Sequence, residues 1–328
     1  MLIIKINNLT KKFKELVAVN NISFNIEEGE IFGFLGPNGA GKSTTLSMLS
    51  TLLVPTHGSA LVNNFDIIKQ KNQVRKSIGM VFQDPTLDDE LTAYENMDFH
   101  ARLYNVSKSI KNKKIIELLK LVDLEDRKKD LVKTFSGGMK RRLEIARGLL
   151  HEPKVLFLDE PTLGLDPQTR NKIWGYIQRL NKENKLTIIL TTHYMDEADK
   201  LCNRVAIIDY GKIIALDTTE NLKKQIGGEL ISIQTENKEK LDLFLEKCKW
   251  CKNIKQHDGF ITINVDHAEK ILPEIIKISD KNKIKILSIS INKPTLEDVF
   301  LYFTGKTIRE QESSSLDRMR SKGRMHRR

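Results

Sequence analysis

The sequence predicts an α/β fold, on three observations. Short apolar runs rich in branched residues occur at Ile31–Leu35, Val155–Leu158, Ile188–Leu190 and Val205–Ile208. Such runs mark strands buried on both faces of a parallel sheet. Segments of helical pattern alternate with them, as the crossovers of that sheet require. A glycine-rich loop ending in a lysine lies between the first of these strands and a helix.

Taken in order, Leu2–Ile6 and Ala18–Ile26 read as antiparallel strands flanking the sheet, and Ile78–Phe82 as a further strand. Helical patterns cover Thr44–Leu53, Ile115–Val122, Lys140–Leu150 and Asn171–Leu180. The glycine pair Gly227-Gly228 breaks the chain, giving a first domain over 1–226 and a second over 229–304. The second reads as strand Leu230–Gln234, helix Lys240–Lys249, a hairpin around Asp258-Gly259, helix Glu269–Ile278 and strand Ile284–Ile291. That β-α-β-β-α-β order predicts a small ferredoxin-like α+β domain. A last helix starts at Thr295-Leu296-Glu297-Asp298, a capping-box-like start after Pro294. Residues 305–328, polar and basic, are expected to be disordered.

A length of 328 residues suits about two domains. With 40% hydrophobic and 30% charged residues the chain can bury a core and remain water-soluble. No apolar run approaches the roughly 18–20 residues of a membrane span, and Met1-Leu2-Ile3-Ile4-Lys5 lacks the basic region and cleavage site of a signal peptide. An integral membrane protein, a secreted protein and a disordered polymer are thereby set aside, and a cytosolic location is expected. The net charge of +11 is uneven: residues 309–328 hold seven bases and three acids. A mildly basic body with a basic tail permits contact with anionic lipid or nucleic acid and demands neither. The three cysteines, Cys202, Cys248 and Cys251, are too few for a disulfide framework. A zinc site at Cys248-Lys249-Trp250-Cys251 would need two further ligands, and none stands out.

Gly36-Pro37-Asn38-Gly39-Ala40-Gly41-Lys42-Ser43-Thr44 fits the phosphate-binding pattern G-x-x-x-x-G-K-[ST] in its required strand-to-helix context. Its glycines let backbone N–H groups converge on phosphate, and the helix N-terminus adds partial positive charge. Lys42 is placed to reach the β- and γ-phosphates, and Ser43 to offer its hydroxyl to Mg²⁺. The strand Val155–Leu158 ends in Asp159-Glu160. Strand carboxyl ends face the ligand in such sheets, and successive side chains point opposite ways. Asp159 fits as the Mg²⁺ partner and Glu160 as the base that orients the attacking water. Ser136-Gly137-Gly138 opens a helix; alone it would be read as an ordinary N-cap with a flexible entry.

These segments stand in a telling order: the loop at 36–44, Gln83, Ser136-Gly137-Gly138, Asp159-Glu160, Leu163-Gly164-Leu165-Asp166, then His193. The order resembles the ATP-binding-cassette (ABC) ATPases over roughly residues 1–220. The resemblance implies a P-loop NTPase core with a mostly parallel sheet, an N-terminal antiparallel β-subdomain and a helical subdomain. It implies a composite site, in which Ser136 and the amides of Gly137 and Gly138 cap the γ-phosphate held by a second ATPase subunit, expected to be an identical copy. It also implies that Gln83 touches Mg²⁺ or the water and signals to a membrane permease. His193 would contact the γ-phosphate and hold Glu160, Asp166 would sit at the cassette–cassette contact, and Phe13 would stack on adenine. ATP and Mg²⁺ are the implied cofactors. The implied location is the cytoplasmic face of the membrane, peripheral through the permease, and the basic tail permits contact with anionic lipid.

Departures from the usual family pattern are Met139 for Gln, Phe135 for Leu, Leu163-Gly164-Leu165 for Ser-Ala-Leu and Phe13 for Tyr. None removes a group that the chemistry needs. The stretch from Ser136 to Ala146 and Pro294-Thr295-Leu296-Glu297-Asp298-Val299-Phe300 resemble the daunorubicin-resistance branch of exporter ATPases, whose cassette carries a small C-terminal domain. The expected function is therefore an ATP-hydrolysing subunit of a drug- or lipid-type exporter. The alternative is a soluble cassette acting on nucleic acid or ribosomes. The single motif set, and only 94 residues between Lys42 and Ser136, argue against it. A regulatory module without turnover is opposed by the presence of Glu160.

Overall fold

The computed structural model describes residues 1–226, 228–248, 250–251, 253–257 and 260–305. It opens with strands β1 (Leu2–Phe13), β2 (Leu16–Glu27) and β3 (Ile31–Leu35), then α1 (Lys42–Leu49), β4 (His57–Val62), β5 (Phe65–Asp66), α2 (Lys71–Ser77) and β6 (Ile78–Val81). A helical stretch follows, α3 (Ala93–Leu103), α4 (Lys108–Leu121) and α5 (Gly137–Gly148). The chain returns through β7 (Val155–Asp159), α6 (Pro167–Asn184), β8 (Thr187–Thr192), α7 (Met195–Leu201), β9 (Arg204–Asp209) and β10 (Lys212–Thr218). The remainder is α8 (Thr219–Ile226), β11 (Glu229–Thr235), α9 (Lys238–Leu245), β12 (Asn253–His257), β13 (Phe260–Val265), α10 (Ala268–Lys281), β14 (Ile286–Asn292) and α11 (Leu296–Thr304).

Two compact units divide the chain between Thr218 and Thr219. Helix α8 thus packs with the second unit, against α11, and the division precedes the glycine pair. Gly227, the Asp258-Gly259 turn and residues 306–328, including the basic tail, lie outside the described residues.

The first unit is built on a six-stranded sheet of order β10-β9-β3-β8-β7-β6. Its five strands β9, β3, β8, β7 and β6 run parallel, and β10 closes one edge antiparallel to β9. Strands β3, β7 and β8 are buried at every position, because both faces of the sheet are covered, one of them by α1 and the antiparallel sheet, which leaves no polar alternation to write into the sequence. A second, antiparallel sheet, β2-β1-β4-β5, packs beside it. Phe24 of β2 stacks on Phe32 of β3 with centroids 5.3 Å apart, and Phe34 meets both rings edge-on. Helices α3, α4 and α5 enclose their own core of Met97, Ile115, Leu119, Phe135 and Leu143. The second unit holds an antiparallel sheet of order β12-β13-β11-β14. Its apolar face, with Ile231, Ile233, Ile261 and Ile263, packs on Leu241, Leu245 and Ile275 of α9 and α10.

Several boundaries differ from the sequence expectation, each for a local reason. Strands β1 and β2 run to 12 residues, past the point where Asn7-Asn8 interrupts the alternation, because the pairing absorbs irregular register there. Helix α1 starts at Lys42 and stops at Leu49, since Thr51 turns left-handed with φ 67°. Helix α5 starts directly after Ser136, not at Lys140.

The aromatic trio makes Phe34 a sensitive core position. Phe34→Ala should lower unfolding free energy by about 3–5 kcal/mol, read as a drop in urea midpoint. A loss under about 1 kcal/mol would mean that the trio does not join the two sheets energetically.

Candidate nucleotide site

Parallel order places the carboxyl ends of β3, β8 and β7 side by side, with β8 in the middle. The loop 36–41 leaves β3 there, and its shape depends on close approach. A Cβ on Gly36 would strike the carbonyl oxygen of Ile208, and Gly41, at φ 106°, would strike that of Ala18. Asn38 and Gly39 are exposed at the loop tip, whereas Pro37 and Ala40 are buried. Ser43 and Thr44 follow in the first turn of α1, each part-exposed.

Lys42 is almost wholly buried, and its ammonium is held from three directions. Nζ donates to the carbonyls of Gly36 at 2.8 Å and Pro37 at 3.1 Å, and lies 3.4 Å from Glu160 Oε1. Glu160 Oε2 is 3.2 Å from His193 Nδ1, outside hydrogen-bond alignment. Burial pushes the Glu160 carboxyl up, but His193 and Lys42 together pull it further down, leaving it below its ordinary value. Beside this group, Ser43 Oγ donates to Asp159 Oδ1 at 2.9 Å. Lys42, Ser43, Asp159, Glu160 and His193 thus converge from α1, β7 and the end of β8.

The other expected residues lie on exposed edges. Phe13 is 42% exposed at the end of β1, with Lys11 Nζ 5.0 Å above its ring, so it is not a core aromatic. Gln83 is exposed just after β6, and its carbonyl accepts from Arg141 at 2.9 Å. Ser136 caps α5, accepting from the Met139 amide at 3.3 Å. Gly138 is demanded by packing, since a Cβ would collide with Thr169 of α6. Gly137 is exposed, and a Cβ there would make only ordinary contact with Leu165. Asp166 caps α6, accepting from the amides of Gln168 and Thr169, both at 3.0 Å.

Three further buried residues, which the sequence does not single out, hold the cluster or the segments next to it. Thr191 of β8 donates to Asp159 Oδ1 and accepts from the Glu160 amide at 3.0 Å. Glu197 of α7 is fully buried and accepts from Thr162 Oγ1 at 2.8 Å and Trp174 Nε1 at 2.9 Å. Arg141 of α5 reaches the backbone of the 82–83 segment. Glu197 passes in sequence for a first-turn helix acid and Arg141 for one of a basic run. Among the described residues no cluster of three or more His, Cys, Asp or Glu could hold a metal, and Cys202, Cys248 and Cys251 are unbridged.

The family described as ABC transporter matches residues 19–163, and the C-terminal domain of DrrA1-3-like ATP-binding proteins matches residues 218–304. The linearmycin resistance ATP-binding protein of Bacillus subtilis is 38% identical over 307 residues, covering 92% of this chain and 98% of its own length. The chain belongs to the ABC transporter ATPases. A doxorubicin resistance ATP-binding protein of Mycobacterium tuberculosis is 36% identical, over 91% of this chain and 92% of its own. Among solved structures, the ATP-binding cassette MJ0796, a dimer in a post-hydrolysis state with ADP and Pi, superposes with TM-score 0.60 at 31% identity, covering 66% of this chain and 98% of that one. The Clostridium perfringens cassette cbiO1 superposes with TM-score 0.64 at 31% identity, over 75% and 95%. This ABC ATPase binds and hydrolyses ATP as the nucleotide-binding subunit of a transporter. A cassette acting on nucleic acid or ribosomes finds no support in these relatives. No helix among the described residues is long and apolar enough to cross a membrane.

The lowered Glu160 carboxyl has a pH signature. A depressed folded value contributes stability that is present above the unfolded value near 4.5 and is lost as pH falls through the folded one. The stability gap between wild type and Glu160→Gln should be level above the ordinary carboxylate value near 4.5 and close as pH falls below it. Urea midpoints on both sides of that value test it, and a gap that widens on acidification would contradict the assigned cause.

Proposed function

We propose that this ABC ATPase drives an exporter of drug- or lipid-type compounds, working as an ATP sandwich of two identical subunits docked on a separate permease. The observation that carries the reading is the convergence of Lys42, Glu160 and His193 within 3.4 Å, beside the Ser43–Asp159 pair. A triphosphate entering the loop offers Lys42 stronger partners than the carbonyls of Gly36 and Pro37. Amides of residues 36–44 cradle the phosphates, and Phe13, exposed and unburdened by core packing, stacks on the base. Glu160, kept ionised, orients the attacking water against the γ-phosphate, and His193 steadies both.

Ser43 and Asp159 bring hard oxygen donors together, which suits Mg²⁺, with Gln83 as a further oxygen ligand. The ion would neutralise charge on the β- and γ-phosphate oxygens. Gly137 supports the sandwich: among the described residues no contact demands a glycine there, so its bareness serves an approach from outside. With Ser136 and Gly138 it caps the γ-phosphate bound by the partner subunit, and Asp166 lies at that contact. The export direction and compound class rest on relatives named for linearmycin resistance, doxorubicin resistance and Nod factor export. Peripheral placement on the cytoplasmic face follows from docking on a permease. The basic tail adds contact with anionic lipid.

Lys42→Ala should abolish tight ATP binding, measured by nucleotide titration of the purified subunit. Binding at wild-type affinity would remove the lysine from the phosphate site. Glu160→Gln should keep ATP binding, lose about 100-fold or more in turnover, and accumulate an ATP-bound dimer in size-exclusion chromatography. Turnover at the wild-type rate would refute the base assignment.

A further inference from the structure

Helix α5, whose first residues form the proposed cap on the partner's nucleotide, is tied through one side chain to this chain's own catalytic cluster. Arg141 is buried one turn into that helix. Its Nη1 donates to the Phe82 carbonyl at 2.5 Å and to Glu144 Oε2 at 3.2 Å. Its Nη2 donates to the Gln83 carbonyl at 2.9 Å and reaches the Glu160 carbonyl at 3.5 Å. Glu144, also buried, accepts from the Thr86 amide at 2.7 Å, and Arg147 donates to the Thr86 carbonyl at 2.8 Å. The segment 82–86 therefore hangs from α5, and the peptide of Glu160 shares its principal anchor.

The backbone of Glu160 explains why an anchor is needed. Its φ of 45° lies in the left-handed region, which costs a residue with a side chain about 1–3 kcal/mol unless its surroundings hold it. Here Thr191 engages the amide and Arg141 the carbonyl, on the two sides of the strained residue. A plain core ion pair would need only the Glu144 contact. The second guanidinium arm is turned instead to the two residues expected to meet water and Mg²⁺.

We propose that Arg141 is a positioning residue through which the Ser136-Gly137-Gly138 helix sets the geometry of Glu160 and Gln83 in its own chain. Displacement of α5 on closure over the partner's nucleotide is passed through the guanidinium to the peptide that aims the water-orienting carboxylate. Occupancy of one ATP site thereby tunes the base of the other. This rests on the sandwich reading above. The planar fork is essential, because a lysine can still pair with Glu144 but cannot address three carbonyls in one plane.

The test is Arg141→Lys in the full chain. Its kcat should fall by about 10-fold or more, with KM for ATP within about 2-fold of wild type. ATP-driven dimerisation of Arg141→Lys/Glu160→Gln should match that of Glu160→Gln. A kcat within about 2-fold of wild type would overturn the proposal. So would a loss of kcat in parallel with a loss of ATP-driven dimerisation, which would mean that the arginine supports the helix end and not the base. If the lysine variant unfolds, Arg141→Met/Glu144→Gln leaves no unpaired buried charge and retains an acceptor for Thr86, and the same split is read on it. Absence of an ATP-dependent dimer for Glu160→Gln itself would overturn the sandwich reading and, with it, the coupling between sites. The kcat-against-KM split would still decide whether Arg141 holds Glu160.

Discussion

A buried ammonium cannot be left uncompensated, and Lys42 is that ammonium. Stripping a partner from a buried charge costs about 3–5 kcal/mol, so the loop must supply acceptors before any nucleotide arrives. It does so with the carbonyls of Gly36 and Pro37, and the end of β7 adds Glu160. These requirements shape the site. Gly36 must pass close to Ile208, Gly41 must adopt a left-handed turn against Ala18, and β7 must end level with the loop. The carboxylate that balances the lysine is also the one proposed to orient water, so on that proposal ground-state stability and catalysis draw on one contact.

The sheet order makes this possible at low cost. Strand β8 lies between β3 and β7, and its terminal threonines fill the gap between loop and acids. Thr191 pairs in register with Asp159 and joins its carboxylate to the Glu160 amide. Fixing both acids through a paired strand residue, not through a loop, holds them with the stiffness of the ladder. On the far side of Glu160, Arg141 supplies the corresponding hold from α5. The strained residue is thus clamped between the rigid sheet and an element that belongs to the helical subdomain, which is where a signal from a second nucleotide would arrive.

Much of the fold was legible because the parallel strands are buried on both faces and their central stretches are apolar. Ile31–Leu35 matches β3 residue for residue, and the runs at 155, 188 and 205 lie inside β7, β8 and β9. Helix α3 escaped notice although Thr92 and Glu95 form a capping box, because its apolar face is short and mixed with Asn96, Asp98 and His100. Strands β4 and β10 escaped because both are part-exposed and include polar residues such as His57, Ser59, Lys212 and Asp217. The C-terminal order of strands and helices was legible from the alternation of the two kinds of pattern.

By itself the sequence determined the chemistry on offer: a lysine in a glycine loop, paired acids after an apolar strand, a glycine-led helix start, and the order in which they occur. Local rules suffice there, since a loop that must turn on glycine and a strand that must be apolar leave their mark within ten residues or so. Only the tertiary structure decided which of those groups meet. Lys42 and Glu160 are brought within 3.4 Å by a sheet order that no periodicity encodes. The roles of Thr191, Glu197 and Arg141 were likewise invisible, because a threonine in a strand, an acid in a first turn and an arginine in a basic run are each ordinary in isolation. What distinguishes them is burial against partners distant in the chain, a property that exists only once the elements have packed.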